Sequence, residues 1–371
     1  MNSILITLDN LNIGGIQRIA LDQLYCFSEM NVKSVMVCIE PRETKSQITD
    51  VDEQFYSQTT HKVCFLPRTL FRKIRDLFYI VVNNNITLAI CYSPKSVALL
   101  RIIRICKRQN FKIHLIVGQT PTLSSKSQNF KRAIYLRLAD KIFTTTPEFK
   151  EEFNLLRRNS WFYKIIFRAD IQSAFIGLYL PRIEAANLNA KSIGLMHERP
   201  LLFYGRIIGW KGFSTFQEVL GLLGEKSYAV VMTSQEYAVE LNRLSFIEGN
   251  FRKTVFSKSV VSINWPNSAI HLYPTNYGAK TSFPMSVSNN VLECMVLGIP
   301  SIVSAGSLES IGQLQDSILV KVTTWEKDDV IQIIKELMSY TREEFLEEAK
   351  RVKDSLSNRS YCLKLLEKNC G

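Results

Sequence analysis

Short apolar runs of strand length alternate with helix-like segments twice along this chain, and no other feature constrains the fold as strongly. The first series opens with "SILITL", then a loop "DNLNIGG", then "IQRIALDQLYCFSEM", in which Ile16, Ile19, Ala20 and Leu24 keep helical spacing. "VKSVMVCIE", "ITLAICY", "IHLIVG" and "KIFTTT" continue it between helical segments. The second series runs "LLFYGR", "FSTFQEVLGLLG", "YAVVMT", a helical stretch near 236–247, "SVVSIN", "AIHLYPT", "NNVLECMVLG" and "PSIVSA", and a charged helical segment covers 326–369. Continuous apolar runs suit strands of a parallel sheet with helices on both faces. The expected fold class is therefore α/β, with two Rossmann-like domains facing across a cleft, a common place for ligands.

A chain of 371 residues exceeds one usual core, which agrees with two domains. Residues 178–199 carry no sustained periodicity. The expected division is a first domain over 1–180, a linker over 181–199 and a second domain over 200–354, with the C-terminal helix 355–371 packing back on the first. Eight cysteines are scattered without a C-x-x-C pair, which argues against zinc and against a disulfide framework and suits a reducing cytoplasm. His61, His114, His197 and His271 form no ligand-spaced cluster, so no metal is expected. The segment "MNSILITLDN" lacks the basic flank and cleavage site of a signal peptide. No apolar run reaches the ~20 residues that span a bilayer.

Charge is uneven. The net value is +12, of which residues 1–190 hold +11 (26 Lys+Arg against 15 Asp+Glu). The window 67–168 alone holds 20 basic and 5 acidic residues, or +15. "RTLFRKIRDLFYI", "LLRIIRICKRQNFK", "FKRAIYLRL" and "LLRRNSWFYKIIFR" interleave these cations with Phe, Tyr, Trp and Leu. Such segments suit an interfacial helix on an anionic membrane, and Arg157, Arg158, Trp161, Phe162 and Phe167 are the expected contact residues. Nucleic acid would also attract cations and aromatics, but no RNA- or DNA-binding module is present to direct that reading. A basic protein that buries these aromatics in its core is the plain alternative.

"LLFYGRIIGWKGFSTF" (201–216) ends a buried strand in two cations set among glycines. Ligands of α/β folds sit beyond the carboxyl ends of strands. The Arg206 guanidinium, the Lys211 ammonium and a helix N-terminus near Gly212 would make a diphosphate site there. A departing nucleoside diphosphate gathers negative charge, which such a site offsets. Otherwise the pair is a solvated Arg and Lys after an ordinary strand. Glu293 lies in "NNVLECMVLG", apolar all round, so its carboxylate needs buried partners. Ser288 can cap that helix, and Gly298 with Pro300 ends it. Gly14 and Gly15 let the backbone approach a ligand, or simply make a tight turn.

"FYGRIIGWKGFSTF" resembles the G-R-x4-K-G segment of nucleotide-sugar glycosyltransferases of the GT-B fold. "SNNVLECMVLGIPSIVS" resembles their C-terminal signature, "GGIQRIALDQL" their N-terminal glycine loop and "GSLESI" their later P-E-x-I stretch. The group it is similar to includes the mostly retaining bacterial enzymes of lipopolysaccharide, capsule and glycolipid synthesis. The resemblance implies donor binding by Arg206, Lys211, Asn289, Asn290 and Glu293, with Glu293 on the ribose hydroxyls and Gly14 and Gly15 over the donor phosphates from the opposite domain. A Glu paired to a structural Arg is the other reading of Glu293. The family's signature carries an earlier glutamate too, and that position is Met285 here, with no Asp or Glu from 249 to 292. Lys280 or Ser286 would then contact the donor sugar, or activity is lost; no catalytic residue is assigned.

The expected protein is a metal-independent, retaining hexosyltransferase that needs no cofactor beyond its nucleotide-sugar donor. It would lie on the cytoplasmic face of the plasma membrane and modify a lipid-linked glycan or lipopolysaccharide acceptor, with no nucleic acid as partner. A catalytically inactive GT-B scaffold is the alternative, and a nucleic-acid binder a third reading.

Overall fold

Strand β1 (Ser3–Leu8) is buried along its length, with Leu5 in one apolar cluster and Ile4 and Ile6 in another. That period of two repeats across the sheet it belongs to, because each central strand is covered on both faces. The computed structural model describes residues 3–10, 15–40, 63–117, 136–145, 147–159, 169–173, 176–188, 199–205, 207, 211–223, 229–233, 251–256, 269–275, 288–304, 314 and 316–367. Those residues form two compact units, one of Met1–Tyr179 with Asn358–Gly371, the other of Leu180–Ser357.

The first unit holds a seven-stranded sheet of β1, β2 (Lys33–Cys38), β3 (Val63–Phe65), β4 (Ile86–Cys91), β5 (Lys112–Val117), β6 (Lys141–Thr144) and β7 (Asp170–Ser173). Its order is β3-β2-β1-β4-β5-β6-β7, and every neighbouring pair is parallel. Helix α1 (Gly15–Glu29) packs Leu24 and Phe27 against Ile4, Ile6, Met36 and Ile90 on one face. Helices α2 (Leu70–Asn83), α3 (Pro94–Cys106) and α4 (Pro147–Asn159) cover the other face, where Leu77, Leu100 and Phe153 meet Leu5, Val37, Ala89 and Ile113. Right-handed crossovers explain the segregation: the chain leaves β1 in one direction along the sheet and leaves β3, β4 and β6 in the other.

The second unit holds six parallel strands, β8 (Leu201–Tyr204), β9 (Ala229–Thr233), β10 (Phe251–Phe256), β11 (Ile270–Tyr273), β12 (Ser301–Ser304) and β13 (Val320–Thr323). Their order, β10-β9-β8-β11-β12-β13, repeats the doubly wound pattern of the first. Helices α5 (Leu180–Leu188), α6 (Phe213–Leu223), α7 (Asn289–Val296), α8 (Lys327–Ser339) and α9 (Arg342–Leu356) belong to this unit. The last described helix, α10 (Arg359–Glu367), belongs to the first. It buries Tyr361, Cys362 and Leu365 in the same cluster as α1, and the Asn358 side chain donates to Asp22 O at 3.0 Å.

One segment differs from the sequence expectation, and one expected strand is not covered. The stretch 181–199 was expected as a linker, yet its start lies in α5, where Arg182 and Ile183 are buried. Tertiary burial stabilises this short helix where periodicity gave no signal. At the edge of the second sheet β10 covers 251–256, whereas the expected strand "SVVSIN" lies outside the described residues.

Candidate functional site

Strands β8 and β11 are adjacent in the second sheet, and the chain leaves them toward opposite edges. This is the topological switch point, where a crevice opens beyond the carboxyl ends. Local chemistry then closes the site around it. Gly212, just before α6, has φ +71°, and a Cβ there would stand 1.4 Å from Pro274 O, so only glycine lets this backbone touch the end of β11. From the other side, the Asn290 side chain at the start of α7 donates to Tyr204 O at the end of β8, 2.7 Å away. Gly205 keeps room for that amide: its Cβ would lie 3.1 Å from Asn290 Nδ2. Two helix N-termini therefore meet one strand edge, each contributing partial positive charge.

Helix α7 is held at both ends. Ser288 Oγ accepts from Asn290 N at 3.4 Å, and at the far end Gly298 takes φ +66°. Arg342 of α9 donates to Leu297 O at 3.0 Å and also to Gly298 O, placing a guanidinium on carbonyls the helix leaves unpaired. Burial pushes the Arg342 pKa down.

Lys211 supplies the described cation of the crevice. Its Nζ donates to the Tyr273 hydroxyl at 2.5 Å and stands 4.7 Å from that ring's centroid. The aromatic face and the hydroxyl together fix a flexible ammonium at the end of β11. Two residues earlier, His271 is fully buried, and Nδ1 lies 3.0 Å from Ser301 Oγ. Burial and the nearby Lys211 charge push its pKa down to about 3, so it is neutral near pH 7. Among the described residues, the second unit's crevice thus carries Lys211 as a charge and His271 as an uncharged support beneath.

Glu293 is placed differently from the ribose contact that the family resemblance implied. It has no exposed surface, and its Oε1 accepts from Arg182 Nη2 at 3.2 Å, while Oε2 accepts from the Tyr204 hydroxyl at 2.7 Å. Both oxygens are engaged inside the protein, so the alternative of a carboxylate paired to a structural arginine is the one that the geometry shows. The reason is local: α7 is buried on every side here, with Val291, Leu292, Cys294 and Met295 also interior, and a carboxylate there must find a buried cation.

Asn290 therefore reaches the crevice, Asn289 lies half-buried beside it, and Lys211 stands at the strand ends. Gly15 opens α1, in the other unit. Arg206, Gly14, Lys280, Met285, Ser286, Trp161, Phe162 and Phe167 lie outside the described residues. Arg157 is half-buried and Arg158 exposed in the last turn of α4. Sequence reasoning missed Tyr204, Tyr273 and Arg182. A signal existed for the tyrosines, since both central strands, "LLFY" and "IHLY", end in one. None existed for Arg182, which lies 111 residues from its partner.

No family model matches the sequence, and no curated protein matches it. Solved structures match along almost its whole length. A glycosyltransferase from Rickettsia africae superposes with a TM-score of 0.70 at 14% identity, over 99% of this chain and 97% of its own. HepE of Anabaena, solved with UDP and glucose, gives 0.68 at 11% identity over 99% and 98%. The lipopolysaccharide outer core galactosyltransferase WaaB, in its apo form, gives 0.62 at 15% identity over 99% and 100%. Identities this low speak for the fold, and the fold is that of the GT-B glycosyltransferases, two Rossmann-like units in one chain.

Proposed function

We propose that this protein transfers a sugar from a nucleoside-diphosphate sugar to a hydroxyl of a lipid-linked or lipopolysaccharide acceptor at the cytoplasmic face of a membrane. The observation that carries the donor half is Lys211, held by Tyr273 at the switch point of the second sheet, where two helix N-termini meet. In the transfer, the acceptor oxygen bonds to the anomeric carbon, the C–O bond to the diphosphate breaks, and the electron pair leaves with the diphosphate. The hydroxyl proton is released with it. Lys211, with Arg206 five residues before it, offsets the growing negative charge without a bound metal. Uridine is the first nucleotide to test, since HepE was solved with UDP and with UDP-glucose. The membrane half draws support from the +15 window in the first unit. Among the described residues no helix is long and apolar enough to cross a membrane, so contact would be peripheral.

The test is calorimetry with UDP and UDP-sugars, followed by radiolabelled transfer to membrane extracts. Failure to bind any nucleoside diphosphate would remove the reading. A scaffold that binds nucleotide but transfers nothing is the second reading. Met285 in place of a signature glutamate and the interior position of Glu293 favour it. Absence of both transfer and donor hydrolysis at saturating UDP-sugar would decide for the scaffold.

A further inference from the structure

The entry to helix α2 is a run of five exposed residues, Arg68-Thr69 before it and Leu70-Phe71-Arg72 in its first turn. Phe71 is 79% exposed and Leu70 62%, next to cations on both sides. The helix uses Leu77 and Val81 for the core, so its first turn has no part in holding the sheet. Helix α3 packs beside it and adds Ile105, 67% exposed, to the outer surface. Between Arg68 and Arg108 the chain carries nine Lys/Arg, against Asp76 within the segment and Asp140 paired to Arg101 and Arg104.

We propose that this outer face of α2 and α3 docks the first unit on an anionic lipid surface, with Leu70 and Phe71 entering the headgroup region. The charge supplies long-range attraction, and the apolar pair supplies a component that salt does not screen. The occupant is a bilayer and not a nucleic acid because two of the three exposed apolar side chains, Leu70 and Ile105, are aliphatic: they gain from acyl chains and give a base nothing to stack on, whereas the Phe71 ring suits either. Orientation fits too. The first turn of α2 follows β3, so it lies at the carboxyl edge of the sheet, the edge that also carries the turn from β1 into α1. Lipid at Leu70 and Phe71 would bring a bilayer to the side of the unit on which α/β sheets hold ligands. Such docking rests on the membrane-acceptor reading proposed above and names the surface that serves it. Arg158 of α4 lies on the same helical layer and adds charge.

The experiment is sedimentation of the full chain with phosphatidylcholine vesicles, alone or mixed with phosphatidylglycerol. The protein should bind the anionic vesicles and be partly released by salt. Leu70→Ser with Phe71→Ser should lower the partition coefficient about tenfold or more, with UDP affinity unchanged. Arg68→Glu with Arg72→Glu should lower it further at low salt and little at high salt. Both pairs are exposed, and circular dichroism checks that each variant folds. Full vesicle binding by the Leu70/Phe71 variant would overturn the proposal. So would indifference to anionic vesicles, or salt-steep binding of single-stranded RNA in their place. Vesicle binding without any UDP binding would overturn the donor reading and leave the docking surface standing.

Discussion

Arg182 and Glu293 form an ion pair at 3.2 Å with 2% and 0% of their side chains exposed, and it joins the first helix of the second unit to α7. Tyr204 completes the set from the end of β8. Removing one partner would leave a charge in the interior. Arg182→Met should therefore cost about 3–5 kcal/mol, whereas Arg182→Met with Glu293→Leu should recover much of the loss. Urea denaturation of the two variants checks this. Discrimination between ribo- and deoxyribonucleotides should stay unchanged in any Glu293 variant that folds, and a change would return Glu293 to the ligand.

Lys211→Ala should weaken UDP binding by about 1.5–3 kcal/mol, the usual worth of a charge-assisted hydrogen bond. Tyr273→Phe keeps the ring beneath the ammonium and loses the hydroxyl, so its effect should be smaller, and Tyr273→Leu should fall between the two. Titration calorimetry at one ionic strength gives the ranking. Equal affinities for all four proteins would end the assignment of Lys211 to the diphosphate.

Gly212 tolerates no side chain. Gly212→Ala combines a left-handed backbone with a Cβ 1.4 Å from Pro274 O, and should cost ~4 kcal/mol or more, or prevent folding of the second unit. Gly221, exposed in the last turn of α6, has no such constraint, and Gly221→Ala is the control. Thermal denaturation of the pair should separate them by several degrees at least.

Two buried histidines make the protein acid-sensitive. His271 has its pKa pushed down to about 3 and His114 to about 4, both chiefly by burial. Unfolded, each would titrate near 6.5. Below that value the unfolded chain takes up protons that the folded chain refuses, so stability falls as pH drops. The window runs from about 6.5 down to 4 for His114 and down to 3 for His271. Within it each histidine contributes a slope of up to about 1.4 kcal/mol per pH unit. His114→Asn should flatten the decline between pH 6.5 and 5 in chemical denaturation; an unchanged slope would contradict neutral burial.

The strands readable from sequence and those that were not fall into a physical pattern. Central strands β1, β4, β8 and β11 are buried over nearly every residue, and each reads as a mainly apolar run, with Thr7, Thr87 and His271 the polar residues inside them. The strands left unread, β3, β7, β10 and β13, are the four sheet edges. An edge strand needs less apolar surface, as "DIQS" and "VKVT" show: Asp170 and Val322 are exposed, and Gln172, Ser173 and Lys321 half-buried. The site was legible in the same partial way. Lys211 and Gly212 stand out because a strand end followed by cations and glycine is a local pattern. Glu293 did not reveal its partner, because an ion pair across 111 residues leaves no local trace.

Helix α10 gives the first unit a peculiar birth order. Its core includes Tyr361, Cys362 and Leu365, which emerge from the ribosome only after all 178 residues of the second unit, from 180 to 357, have been made. At ordinary elongation rates that is a delay of roughly 10–35 s. Throughout it the nascent first unit exposes the patch on α1 that α10 will cover, around Tyr25 and Cys26. The amino-terminal half is thus translated first and finished last, and a chaperone that shields apolar surface has its longest opportunity there.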